Sequence, residues 1–292
     1  LQTTFTKGLN LKTTTHTLFF FLFAFLSTSV SAQSLYYPES FVSTVKSATV
    51  KNEKLKQEIL TVLKSNHLRS SKGERDTLGC PNAGAQSCYE HRSLGYDGAR
   101  KLLFGKLHLE RNSSSYYVKD VYCQKEIEGG VKPGAIPSAT VINCEHTWPQ
   151  SKFSHLYPKD IQKSDLHHLF PTDSKANSVR GNFDFADVSD DNGNLDKNCS
   201  SSKSGYSNTS SGTNLFEPPT EHKGNVARAI FYFSVRYEIA IPKDEEAVLR
   251  RWNELDPIDD AEMKRNDEIH YAQGNRNPFI DFPGLAHSIS KF

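Results

Sequence analysis

The chain has 292 residues, 36% hydrophobic and 24% charged, with a formal net charge of +1. That length allows one large domain or two small ones, and the composition is that of a soluble globular protein with a sizeable core. It excludes a protein that holds nucleic acid through a global basic field, so an anionic ligand would need a local patch.

Residues 1–32 read as a secretory signal peptide. Lys7 and Lys12 precede an apolar run from Leu18 to Leu26, and small residues end at Val30-Ser31-Ala32, where cleavage is expected. The run is short of the ~20 residues that span a bilayer. Residues 33–292 are expected to form a single α+β domain, mainly helical around a small sheet. It holds Cys80, Cys88, Cys123, Cys144 and Cys199. Export permits disulfides, and an odd count leaves at least one cysteine without an intramolecular partner. Cys80–Cys88 would close a small loop and Cys123–Cys144 would tie two expected strands; spacing alone does not choose. No C-x-x-C occurs, which argues against a zinc ribbon.

The spacing of Val45, Ile59, Val62 and Leu63 predicts a helix over 39–68, and a second is expected over 95–107. The aromatic and β-branched run 115–123 reads as a strand, 129–137 as a turn, and 139–148 as a strand halted by Pro149. Residues 187–214 are polar and low in complexity, and a long surface loop is expected there. Its "DDNGNLD" lacks the glycine position and closing glutamate of a calcium loop. Asn112, Asn198 and Asn208 sit in glycosylation sequons. Beyond them, Val226, Ala229, Ile230, Phe233 and Tyr237 mark the core stripe of a helix, with Asn225 as its expected N-cap. Helices over 244–255 and 260–273 follow, the second stopped by Gly274, and 275–284 closes the fold as ordered loop.

The chemistry concentrates in "CEHTWPQSKF" (144–153) and "SDLHHLFPTDSKANSVRGN" (164–182). His146, His155, His167 and His168 share that window with Glu145, Asp160 and Asp165. Neither His-x-x-x-His on one helical turn nor His-Glu-x-x-His is present there, which disfavours a zinc peptidase. A metal-dependent phosphodiesterase suits the residues better. A neutral histidine is a base at neutral pH, and Mg2+ needs few protein ligands if they are hard oxygens. Glu145 and Asn177 could supply those oxygens and His146 the base. Pro171, Thr172 and Asp173 read as a helix start and Gly181 as its stop, so Asn177 and Arg180, three apart, share a face. Adjacent strand residues point to opposite faces, so Glu145 and His146 in one site require the strand to bend or end between them.

These two stretches resemble the bacterial endonuclease I family of secreted or periplasmic nucleases. "DVYC" before them, and "LFEPPTEHKGNVARAIFYFSVRYE" and "QGNRNPFIDFP" after them, extend the resemblance over roughly residues 90–285. It implies a ββα-metal core, with His146 as general base and Glu145 and Asn177 holding one Mg2+; Mn2+ or Ca2+ would also accept oxygen ligands. The implied reaction is hydrolysis of DNA, and often RNA, with little sequence preference, leaving 5′-phosphate ends. The family's arginine near the scissile phosphate has no counterpart in 151–163, so Arg180, Lys152, Lys159 or Lys175 is expected to grip phosphate. His167, His168 and Asp165 are expected to line the site, and Arg228, Arg236, Trp252 and Arg276 to serve packing. The expected associations are a nucleic acid substrate, no membrane once the signal is gone, and a monomeric chain. The competing reading is a secreted nucleic-acid-binding or adhesion module without catalysis.

Overall fold

The computed structural model describes residues 36–64, 67–68, 88–207 and 213–292, and only the backbone at 67–68 and 88–89. The signal segment, the Cys80–Cys88 pairing and the Asn208 sequon lie outside the described residues. The first expected helix is two. Helix α1 (Glu39–Ser47) stops where Ala48 turns left-handed at φ 51°, and α2 (Asn52–Lys64) buries Leu55, Ile59, Leu60, Val62 and Leu63. A two-stranded antiparallel pair follows, β1 (His67–Leu68) with β2 (Cys88–Tyr89).

Helix α3 (Gly95–Leu102) continues as a π-helical turn, Leu103–Leu107. Gly105 in that turn is pressed on Gly134, whose amide nitrogen lies 2.5 Å from where a Cβ would stand. Strands β3 (Leu109–Arg111), β4 (Tyr116–Lys119) and β5 (Glu126–Ile127) form an antiparallel sheet. Strand β4 is shorter than its aromatic pattern suggests because Asp120 ends it. The Asp120 carboxylate accepts the amides of Tyr122, Cys123, Lys125 and Asp173, folding 120–125 into a turn.

Strand β6 (Ile142–His146) pairs antiparallel with β7 (Leu169–Asp173), from Ile142↔Asp173 to His146↔Leu169. Between them the chain makes a long excursion that includes α4 (Lys159–Lys163). Asp173 then caps α5 (Ser174–Arg180) through the amides of Lys175 and Ala176, and Gly181 ends it with φ 54°. Pro171 and Thr172 therefore belong to the strand, and the helix starts one residue after Asp173. Strand, strand and helix follow in the order that the resemblance implies.

The polar segment 187–214 is not a simple loop. Strands β8 (Asp184–Phe185), β9 (Asp190–Asp191), β10 (Lys203–Tyr206) and β11 (Leu215–Glu217) form a sheet in the order β8-β11-β10-β9. Cys199, buried within that segment, is bonded to Cys123. The Cys123–Cys144 pairing is thus excluded; Cys144 is a free thiol buried in β6.

Helix α6 (Thr220–Tyr237) starts after Pro219, which leaves Asn225 inside the helix instead of capping it. It is buried along most of its length and packs against α7 (Lys243–Leu255). Helix α8 (Asp260–Gln273) is capped by Asp259 and ends at Gly274, φ 93°. The closing segment includes a short buried helix, α9 (Pro278–Asp281), capped by Asn277. The larger apolar core surrounds α6. A second, around Ala99, Leu103, Phe104, Ile142, Cys144 and Leu169, lies against β6 and β7. The described residues form an α+β protein in which β6 is buried on both faces.

Candidate active site

The alternation of β6 decides which side chains meet. The ladder continues through His146↔Leu169, and Thr147 N still donates to His168 O at 3.0 Å. The bend that would bring Glu145 and His146 to one face is absent. Asn143 and Glu145 take one face of the strand, Cys144 and His146 the other.

Glu145 is 2% exposed. Its Oε1 accepts a hydrogen bond from the Tyr122 hydroxyl at 2.9 Å and pairs with Arg180 Nη1 at 3.0 Å. Burial nevertheless raises its carboxyl above the usual value, outweighing Arg180 and Tyr122. Arg180, at the end of α5, also donates from Nη1 to His146 O at 3.1 Å and from Nη2 to Thr147 O at 2.7 Å, and it lies 4.4 Å from the Phe185 ring centre. At 1% exposure it clamps helix to strand end and displays nothing to a phosphate, contrary to expectation.

Asn177 lies one helical turn before Arg180, on the same flank of α5, which packs on β6. It is half-buried, and its amide makes no hydrogen bond with the described residues. Among those residues no group of three or more His, Cys, Asp or Glu is arranged for a metal ion. The expected ligands, Glu145 and Asn177, would offer hard oxygens, a donor set that suits a divalent ion retaining much of its hydration.

On the opposite face, His146 Nε2 is 3.1 Å from Lys163 O. That carbonyl can only accept, so Nε2 carries the hydrogen and Nδ1 keeps its lone pair, 3.4 Å from Gln150 Nε2. Burial first, then His168, pushes His146 down to about 3, so it is neutral at neutral pH. The rings of Tyr96 and His168 lie 5.6 and 5.4 Å from its own. Lys163 Nζ rests over Tyr96, 4.2 Å from the ring centre.

The other expected site residues divide. His168 backs His146, and its Nε2 donates to Gln162 O at 2.8 Å. Asp165 and His167 are core residues with no accessible surface to offer. Asp165 accepts from the Tyr232 and Tyr237 hydroxyls at 2.9 and 2.7 Å and from Gln273 at 2.7 Å. Burial opposes its ionisation, but His91, His167, His168 and Gln273 hold it below the usual carboxylate range. His167 Nε2 donates to Asn275 O at 3.1 Å. Lys152 is ion-paired with Asp184, and Lys175 with Asp196. Arg228 pairs with Glu262 and Arg276 with Asp281, Arg236 is buried, and Trp252 bonds Asp187, as packing residues would. Tyr122 and Lys163 went unnoticed in the sequence. Only Tyr122 carried a signal, as the tyrosine of "DVYC".

The chain matches the Endonuclease I family model over residues 51–284. An extracellular ribonuclease of Bacillus subtilis (strain 168) is 38% identical over 165 residues, 50% of this chain and 53% of its own length. An extracellular deoxyribonuclease of Aeromonas hydrophila is 30% identical over 163 residues, 49% of this chain and 66% of its own length. Endonuclease-1 of Buchnera aphidicola subsp. Acyrthosiphon pisum is 28% identical over 159 residues, 49% and 60% of the two chains. The match spans about half the length of the Bacillus relative.

Proposed function

The chain belongs to the endonuclease I family, and from that premise we propose that it is a metal-dependent endonuclease that hydrolyses DNA and RNA with little sequence preference, leaving 5′-phosphate ends. One observation carries the reading: Glu145, Arg180 and the carbonyls of His146 and Thr147 form one bonded unit at the end of β6, and a neutral histidine stands on its other side.

A divalent cation, Mg2+ in the first instance, would be held by Glu145 and Asn177 and would neutralise charge growing on the phosphate. His146 takes a proton from the attacking water at Nδ1, while Lys163 O keeps Nε2 protonated. Arg180 and Tyr122 hold the Glu145 carboxylate in place. Glu145 and His146 leave β6 on opposite faces, so one phosphate can meet both only at the strand end, where the chain leaves the sheet before Pro149. Low sequence preference fits a grip on phosphates instead of base edges. The relatives' names, one ribonuclease and one deoxyribonuclease, favour both nucleic acids as substrates. The protein is secreted or periplasmic: relatives carry those locations in their names, and the Cys123–Cys199 disulfide suits an oxidising compartment.

The test is incubation with supercoiled plasmid and with RNA, with Mg2+ and with excess EDTA. Nicking and degradation with Mg2+ alone is expected. Intact substrates in Mg2+ would overturn the reading.

A further inference from the structure

A nuclease that reads backbone needs a displayed cation beside the reacting phosphate. Of the candidates that the sequence suggested, Arg180 is buried, Lys152 is paired with Asp184 and Lys175 with Asp196, while Lys159 stands exposed on α4 with no ion pair among the described residues. Lys163 is different. The residue is half-buried, and its ammonium has no carboxylate within ion-pair distance among the described residues. It rests on the Tyr96 ring at 4.2 Å, and that ring lies 5.6 Å from His146 at an interplanar angle of 31°. Arg100 also leans on Tyr96, at 5.4 Å, but it shares its charge with Asp97 at 3.4 Å. A cation held only by a ring face is easily given up to a phosphate oxygen, which offers full charge and a hydrogen-bond acceptor.

We propose that Lys163 grips a non-bridging oxygen of the substrate phosphate on the His146 face of β6, with Tyr96 holding the ammonium ready in the free enzyme. The inference rests on the nuclease reading above. It gives Lys163 two separable parts. The carbonyl fixes the tautomer of His146, and the ammonium fixes the phosphate relative to that same imidazole. A side-chain substitution removes the second and leaves the first.

The experiment compares wild type, Lys163→Met, Lys163→Arg and, as a control on an exposed turn, Lys132→Met. Affinity for a fluorescent DNA duplex is measured in EDTA across a salt series, and kcat/KM in Mg2+ at fixed low salt. For Lys163→Met the slope of log affinity against log salt is expected to shrink by about 0.9, the value of one phosphate contact. Its kcat/KM is expected to fall roughly ten- to hundredfold, the loss of one charge-assisted hydrogen bond. Lys163→Arg recovers most of both, which a merely structural role would not produce, and Lys132→Met matches wild type. Should Lys163→Met fail to fold, Lys163→Gln takes its place. Wild-type slope and wild-type kcat/KM in the folded variant overturn the proposal and leave the nuclease reading standing. A wild type that binds but does not cleave, with the slope still reduced in the variant, sinks the nuclease reading and upholds the phosphate contact.

Discussion

At the scale of residues, Glu145 and Arg180 are tied by more than function. Both are buried to 2% exposure or less, so neither charge can return to water if its partner is lost. Removing one partner of such a pair costs about 3–5 kcal/mol, most of it from the ion left behind. Glu145→Gln is therefore expected to lower stability by roughly that amount, read by urea denaturation; an unchanged midpoint would mean that the pair is worth little. Glu145→Asp keeps the charge, and it is the better variant for separating loss of cleavage from loss of fold. His146→Ala is expected to abolish cleavage and leave duplex affinity in EDTA nearly unchanged, so residual activity near wild type would remove it as the base. The sequence points to Glu145, His146 and Asn177 because their types match the chemistry, and the variants above test that assignment for the first two. It misassigned Arg180 because spacing puts an arginine on a helix face without saying what covers that face. Here β6 covers it, and its carbonyls absorb the guanidinium.

At the scale of elements, periodic segments were legible and polar ones were not. The helix over 243–255 follows Pro242 and buries Leu249 and Trp252, three apart, and that over 260–273 is bounded by the Asp259 cap and Gly274. Segment 187–214 has no such period. Its strands are two to four residues long, and pairing with β11 together with the disulfide to Cys123 holds them in place. That disulfide joins residues 76 apart and draws Ser201 and Ser202 onto the carbonyl of Tyr122. Cys199→Ser is expected to cost roughly 2–5 kcal/mol, measured by thermal or urea unfolding. A melting point equal to wild type would show that the segment is held by its strands alone.

At the scale of the whole molecule, the protein buries several histidines in neutral form. Burial pushes His91 and His168 down to about 4 and His146, His167 and His222 to about 3, and His108 is also held well below its ordinary value. In the unfolded chain each takes up a proton near pH ~6.5. Below that pH the unfolded state binds more protons than the native one, so stability falls as pH falls, by up to about 1.4 kcal/mol per pH unit for each histidine. Glu245, raised by burial to about 7, works the other way, since its native form accepts a proton first, and burial raises Glu145, Asp256 and Glu262 in the same sense. Four such carboxyls against six histidines, with Asp165 held below its usual range on the histidines' side, leave a net loss between pH ~6.5 and ~4. Melting temperatures at pH 7.5, 5.5 and 4.5 test this; a flat profile contradicts it. The composition showed eleven histidines but not which were buried, so this acid sensitivity was not legible before the fold.

The regular ladder through His146 has a consequence for folding fidelity. A slip of one residue between β6 and β7 would exchange the two faces of the strand. Glu145 would then leave Arg180 and the Tyr122 hydroxyl for the face that holds Tyr96 and Lys163, and Arg180 would be left facing an imidazole. A buried guanidinium without its carboxylate is too costly to persist. The misregistered chain is thus rejected by its electrostatics before it can become a weak enzyme, and the alternation that parts the acid from the base also proofreads the strand that carries them.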